Sequence, residues 1–244
     1  MSAPVFLVTG GSRGIGAAIS RSAARAGYRV MLTYVSNGEQ AEDVARQIRA
    51  DGGEATAVHA DTSQADEVDA LFRAVDAAGP LAAMVYNGGI TGAPSRLDAA
   101  DPATLARVID VNLVGAMLCA RAAIPRMSTR QGGQGGAIVF MSSRATAYGS
   151  PGECVWYAAS KGGIDALSLG LSREVGLDGI RVNAVSPGPI DTGMLSEEKR
   201  KSALALSPVG RIGTPEEAAA AVMFLVSDAA SFITGANLAV AGGR

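Results

Sequence analysis

Histidine and cysteine are nearly missing from this 244-residue chain, which has one histidine, His59, and two cysteines, Cys119 and Cys154. A single histidine cannot build a His-rich metal centre. The two cysteines fit neither metal-ligand spacing nor a CxxC pattern. Cys119 lies in an apolar helical run and reads as a small buried hydrophobe, whereas Cys154 falls close to the candidate site below. An excess of one charge is also missing: 21 Lys and Arg stand against 23 Asp and Glu, a formal net charge of -2. That balance excludes a basic nucleic-acid footprint. The densest basic run, Lys199-Arg200-Lys201, follows Glu197 and Glu198 and reads as a solvated helix face. No uncharged apolar run reaches membrane-spanning length. Val5 to Val8 is too short for a secretory signal and runs straight into glycines. The expectation is a cytoplasmic protein with no membrane or nucleic-acid partner.

What is present argues for a folded globule. Hydrophobic residues make up 48% and charged residues 18%, which excludes a disordered chain. The 31 glycines cluster at turns and do not recur every third position, which excludes collagen. The length suits one α/β domain, although length alone leaves room for two small ones. Short apolar strands are expected at Pro4 to Thr9, Arg29 to Tyr34, Ala55 to His59, Leu81 to Tyr86, Ala137 to Met141, Arg181 to Val185 and Asn237 to Val240. Helical patterns lie between them, at Ile15 to Ala26, Glu39 to Asp51, Asp66 to Ala78, Thr104 to Met127, Tyr157 to Gly176 and Pro215 to Ser227. Strand and helix alternate through short links. This predicts a single doubly wound Rossmann-type domain over 1–244, a seven-stranded parallel sheet flanked by helices.

Thr9-Gly10-Gly11-Ser12-Arg13-Gly14-Ile15-Gly16 joins the first strand to the first helix. Glycines allow the tight turn and let backbone approach a pyrophosphate, which the helix N-terminus attracts. Tyr157 and Lys161 are four residues apart and share a helix face. A phenol titrates too high to exchange protons readily at neutral pH, and a nearby ammonium lowers that value. The pair therefore suits acid–base work, against the plainer reading of a core tyrosine with a surface lysine. Ser143 and Ser142 follow the fifth strand, at the strand ends that line the ligand crevice of an open sheet.

With this glycine spacing and Tyr157-Ala158-Ala159-Ser160-Lys161, the chain resembles the short-chain dehydrogenase/reductase family over essentially its whole length. The resemblance implies hydride exchange between a nicotinamide cofactor and a small carbonyl or secondary-alcohol substrate. It gives Tyr157 and Lys161 the catalytic role and Asn112, in Asp110-Val111-Asn112-Leu113, the task of holding a water that links Lys161 to solvent. A plain capping or packing asparagine is the alternative. The family serine usually stands thirteen residues before the tyrosine. Here that position is Arg144, so Ser143, fourteen before, is preferred and Ser142 is the reserve. Gly10, Ser12, Arg13, Gly14, Ile15 and Gly16 would hold the cofactor. Asp61 and Thr62 would contact the adenine. Asn87-Gly88-Gly89 resembles the end of Asn-Asn-Ala-Gly, with Tyr86 in place of the first asparagine. Pro187-Gly188-Pro189-Ile190-Asp191-Thr192 resembles the segment over the nicotinamide, with Ile190 and Thr192 toward the carboxamide. Phe232-Ile233-Thr234-Gly235 and Gly242-Gly243 also match, while Ala241 stands where an aspartate is common.

Tyr34 ends the second strand where an acid would bind the adenine ribose of NAD and repel a 2′-phosphate. With the neutral Val35-Ser36-Asn37 and the basic Arg13, it favours NADP, with NAD possible. Tyr148, Trp156, Met194 and Leu195 are candidates to wall an apolar substrate pocket, with Arg144 and Glu153 near its mouth. Gly193 to Pro208 carries few anchoring features and reads as a lid. The apolar helices around Asn112 and after Tyr157, with the last helix and strand, predict a homotetramer. Three rivals stand beside an NADP-dependent reductase: an NAD-dependent sugar or secondary-alcohol dehydrogenase, a 3-oxoacyl thioester reductase, and a cofactor-binding scaffold without turnover. The intact Ser143, Tyr157 and Lys161 argue against the scaffold.

Overall fold

The computed structural model describes residues 3–193, 197–205 and 207–244. Met194 and Leu195, considered above for a pocket wall, lie outside the described residues. Seven strands form one sheet: β1 (Val5–Thr9), β2 (Arg29–Tyr34), β3 (Glu54–His59), β4 (Leu81–Tyr86), β5 (Gly136–Met141), β6 (Ile180–Pro187) and β7 (Asn237–Val240). Their spatial order is β3-β2-β1-β4-β5-β6-β7, and every pairing is parallel. Chain order reverses direction between β1 and β4. In open α/β sheets such a switch point opens a crevice at the carboxyl ends of the strands.

The inner strands are buried on both faces, so their side chains alternate between two cores, while the edge strands β3 and β7 are partly exposed. In β1, Phe6 and Val8 face one core, and Val5 and Leu7 the other. The first core is covered by α1 (Gly14–Arg25), α2 (Gly38–Ala50) and α9 (Pro215–Val226). The second is covered by α3 (Ala65–Ala78), α5 (Gly115–Met127) and α7 (Val155–Glu174). Pro215 follows Thr214, whose side chain and that of Glu217 form a reciprocal capping box, so the start of α9 read from the sequence has a direct cause. The sheet and its seven strands are as expected, in one Rossmann-type domain.

Three elements differ from the expectation. The stretch from Thr104 to Met127 is not one uniform helix. It runs as α4 (Pro102–Ile109), a π turn (Asp110–Val114) and α5, with Asn112 in the π turn. By length and composition Pro102–Met127 could cross a membrane. In the fold one side of it is buried, at Val108, Ala116, Cys119, Ala120, Ala123 and Met127, while Val114 and Met117 are exposed. A short α6 (Ala145–Tyr148) follows β5. The segment read as an unanchored lid contains α8 (Glu197–Ala205), and Arg200 on it reaches Asp191 at 2.6 Å. Arg200 is therefore paired rather than freely solvated.

Candidate active site

The glycine turn meets its geometric requirements at two positions. Gly14 has φ +50, a left-handed backbone that side chains avoid, and a Cβ on Gly16 would lie 2.2 Å from the Gly10 carbonyl oxygen. The turn is pinned by neighbours: Gly10 N–H donates to Thr33 Oγ1 at 3.1 Å, and Asn87 Nδ2 donates to Gly10 O at 2.9 Å. Asn87 thus ties β4 to the turn. Helix α1 begins at Gly14 with no side-chain cap and no acid in its first turn. Its first N–H groups and positive dipole end suit a phosphate. A Cβ on Gly14 would meet Thr192 Cγ2 at 3.1 Å, so the Pro187–Thr192 segment closes directly over the turn.

A cavity of about 880 Å³ opens at the strand ends. Gly10, Ser12, Arg13, Gly14, Ile15, Gly16, Tyr34, Asp61, Thr62, Asn87, Gly88, Gly89, Tyr157, Lys161 and Thr192 all line it. Pro187, Gly188 and Ile190 do not; Ile190 is buried beside Gly213, and Gly188 N–H donates to Val240 O at 2.9 Å. The size, the glycine cradle and the uncapped helix start together fit a dinucleotide. Arg107, on α4, also lines the cavity and was not singled out in the sequence. Its guanidinium holds Asp61 Oδ2 at 2.7 Å and Ser63 Oγ at 2.6 Å. Burial pushes the Asp61 carboxyl up, but the bonds from Arg107 and Ser63 outweigh it and hold the group below its ordinary range. Thr62 Oγ1 is bonded to Tyr86 Oη at 2.9 Å. The side chains of Asp61 and Thr62 are thus both engaged with protein groups.

At the other end of the cavity are Ser142, Tyr157 and Lys161, and Ser143, which does not itself line the cavity, lies close enough to the Tyr157 phenol to lower its titration in part. Ser143 Oγ also accepts from Ala145 N–H at 3.1 Å, which fixes it on the first turn of α6. Ser142 is buried, and its hydroxyl points to the Lys161 carbonyl at 3.4 Å. Lys161 Nζ donates to Met141 O at 2.7 Å and lies 5.9 Å from the centre of the Tyr157 ring. Burial lowers the lysine to about 8, and the Coulomb pull of Asp165 opposes this. The expectation that Lys161 brings the phenol down is corrected here. Burial raises Tyr157, nearby Ser143 lowers it only in part, and Cys154 and Tyr148 add to the rise.

Asn112 is fully buried. It accepts from Ile90 N–H at 2.8 Å and donates to Ile90 O at 2.9 Å and Ser160 Oγ at 3.0 Å. A Cβ on Gly89 would sit 3.3 Å from Asn112 Oδ1 and 3.4 Å from Lys161 Nζ, so glycine there leaves both polar groups facing one small space. The proposed pocket walls fare unevenly. Tyr148 is exposed beside Tyr157, with the Arg244 guanidinium 5.1 Å over its ring. Arg144 Nε donates to Arg244 O at 2.8 Å, and Glu153 is exposed. Trp156 is buried instead, its indole N–H donating to Thr91 O at 2.7 Å. Cys119 is buried, and burial pushes its thiol up to about 12. Cys154 is the half-buried residue before α7. Among the described residues no group of three metal-binding side chains occurs.

A dinucleotide-sized cavity that ends on Ser142, Tyr157 and the buried Lys161, with Ser143 near the phenol, defines an oxidoreductase of the Rossmann class. The comparisons with known proteins agree. A family described as Enoyl-(Acyl carrier protein) reductase matches residues 10–244. An oxidoreductase named YgfF from Escherichia coli K12 is 44% identical, covering 98% of this chain and 99% of its own length. A cis-4-hydroxycyclohexanecarboxylate dehydrogenase from Sinomonas cyclohexanicum is 41% identical, with 98% and 95% covered. A solved dehydrogenase/reductase from Sinorhizobium meliloti 1021 superposes with a TM-score of 0.92 at 33% identity, covering 100% of this chain and 95% of that one. The chain belongs to the short-chain dehydrogenase/reductase family. It is an NAD(P)-dependent oxidoreductase acting on CH–OH or C=O groups of a small molecule.

Proposed function

We propose that residues 1–244 act as one unit, an NADP(H)-dependent oxidoreductase that reduces a carbonyl compound or, in reverse, oxidises a secondary alcohol. One observation carries the reading: a single cavity runs from the glycine turn to Tyr157 and Lys161, with Ser143 near the phenol. A bound nicotinamide supplies or takes the hydride. Gly10 to Gly16 would hold its pyrophosphate, and Asp61, Thr62, Asn87, Gly88 and Gly89 its adenosine half. Thr192, with Pro187, Gly188 and Ile190 behind it, would close over the ring.

The chain's own residues do the proton work. Ser143 and Tyr157 bind the carbonyl oxygen through their hydroxyls, and Tyr157 gives its proton as negative charge develops there. Burial keeps the phenol protonated, the state a donor must start from. The Lys161 ammonium, turned toward the space it shares with Asn112, then helps restore the lost proton from solvent. The preference for NADP rests on a neutral wall of Tyr34, Val35, Ser36 and Asn37 and on the exposed Arg13, all lining the cavity.

A second reading, a 3-oxoacyl thioester as substrate, is favoured by a Staphylococcus aureus relative named 3-oxoacyl-[acyl-carrier-protein] reductase, which is 39% identical. We also infer a homotetramer, because Val114, Met117 and Leu169 are exposed on one side of the fold's helices and Phe224, Phe232 and Leu238 near its last strand.

The test is turnover of a panel of ketones and 3-oxoacyl thioesters with NADPH and NADH, on wild type and Tyr157→Phe. The variant keeps the ring and removes the proton donor. Turnover is expected to fall at least about a hundredfold while cofactor binding survives. Near-normal turnover in the variant would end the assignment.

A further inference from the structure

Tyr86 is the one position where the turn after β4 departs from the family pattern by a large side chain. The residue is fully buried, and its hydroxyl makes two bonds. It donates its one hydrogen to the carbonyl oxygen of Val111 and accepts from the Thr62 hydroxyl. Burial drives this phenol far up, so it is a neutral donor under all ordinary conditions.

The Val111 carbonyl has a specific reason to need that donor. In an unbroken α-helix it would accept from Gly115 N–H, four residues on. In the π turn the Gly115 N–H goes to Asp110 O instead, five residues back. The Tyr86 hydroxyl takes the place of that lost donor. Gly115 makes the arrangement possible, since a Cβ there would lie 2.4 Å from Tyr86 Oη. A π turn that is wedged open next to a functional side chain is a recurrent device for placing it. The side chain placed here is Asn112, the next residue after Val111.

We propose that Tyr86 is a positioning residue: its hydroxyl fixes the Val111 carbonyl and so sets Asn112 against Lys161 in the proton path to Tyr157. The proposal rests on the reading of Tyr157, Lys161 and Asn112 given above. Tyr86 touches neither substrate nor reacting atoms and acts only through the π turn.

The experiment is steady-state kinetics of Tyr86→Phe in the full chain, with NADPH and the carbonyl substrate that wild type turns over best. The expected result is a fall in kcat of about tenfold, the scale of one buried hydrogen bond lost, with both KM values within about twofold. In an Asn112→Ala background the same change should cost nothing further, because residues that act through one another are not additive. An unchanged kcat in Tyr86→Phe overturns the proposal. So does an equal loss in both backgrounds, or an Asn112→Ala enzyme with wild-type kcat. If Asn112→Ala does not fold, the split between kcat and KM in Tyr86→Phe decides: a loss confined to KM overturns it. Tyr157→Phe is measured alongside. If it stays active, the reading of the whole site falls and the proposal with it. If it is dead while Tyr86→Phe keeps full kcat, only the proposal falls.

Discussion

The Lys161 ammonium is buried at the end of β5, where Nζ donates to the Met141 carbonyl oxygen at 2.7 Å. One hydrogen bond to a neutral carbonyl does not repay the loss of water around a charge, and the lysine drops from its ordinary 10.5 to about 8. Between those two values the unfolded chain binds more protons at this position than the folded one. The contribution of Lys161 to stability therefore climbs with pH across that window and is level below it. Lys161→Met should be more stable than wild type at pH 7 by roughly 3 kcal/mol, an advantage that fades toward pH 10.5. Urea unfolding at a series of pH values measures this. A difference that stays constant from pH 7 to 10.5 would mean that the buried charge is not its source.

Ser142 and Ser143 are neighbours with opposite surroundings. The Ser143 hydroxyl lies near the Tyr157 phenol and lowers its titration, while the Ser142 hydroxyl, although its residue borders the cavity, is directed at a backbone carbonyl. Ser143→Ala is expected to lower kcat at least about tenfold, as the loss of one oxygen-binding donor does. Ser142→Ala should change kcat by less than about threefold and lower the melting temperature slightly. The reverse order of effects would move the role to Ser142.

Much of this site is legible from the chain alone, because the constraints involved are local. Gly14 needs a left-handed backbone and Gly16 passes too close to the Gly10 carbonyl for a side chain, and Tyr157 and Lys161 share a face by simple helical spacing. Other features depend on partners distant in sequence. Arg107 looks like a surface residue of an amphipathic helix until the fold brings Asp61 beside it, 46 positions away. The π turn at Asn112 is masked in the apolar pattern, since Leu113, Val114, Met117 and Leu118 are apolar on several sides and fit an unbroken helix as well. Tyr86 reads as an ordinary strand residue until Val111 lies opposite its hydroxyl. The direction of the Tyr157 shift is hidden for the same reason: spacing shows the nearby lysine but not the burial that raises the phenol.

Cofactor choice turns on Arg13 and Tyr34. Arg13 is exposed at the mouth of the glycine turn, and Tyr34 stacks edge-on against His59 with no acid at the strand end. A 2′-phosphate would meet a guanidinium and no carboxylate among residues 34–37. Fluorescence titration should give NADPH a Kd at least about tenfold lower than NADH, and Arg13→Ala should remove most of that gap, the scale of one charge-assisted bond. Equal affinities in wild type would mean that Arg13 does not meet the phosphate.

The assembly prediction follows from where apolar side chains remain uncovered. Met117 on α5 and Leu169 on α7 are each more than two-fifths exposed, although both helices already cover the second core of the sheet. Gly162 and Gly170 lie open along α7 and would let a partner helix approach closely, whereas Gly163 is taken up by Leu113 of the same chain. Phe232 is completely exposed, and Phe224 and Leu238 are partly exposed on α9 and β7. The edge strand β7 is mostly solvent-facing in the single chain, an arrangement that a neighbour would relieve. Two separate patches on one chain generate a dimer of dimers when both are self-complementary. Light scattering coupled to size exclusion should give a tetramer mass for wild type. Phe232→Glu should yield a stable dimer, since it disrupts only the patch near β7. Met117→Glu combined with Leu169→Glu should break the helix contact and leave the other pair intact. A wild-type mass equal to one chain at every concentration would show that neither patch is an interface, and an unchanged tetramer in Phe232→Glu would remove the β7 patch from the argument.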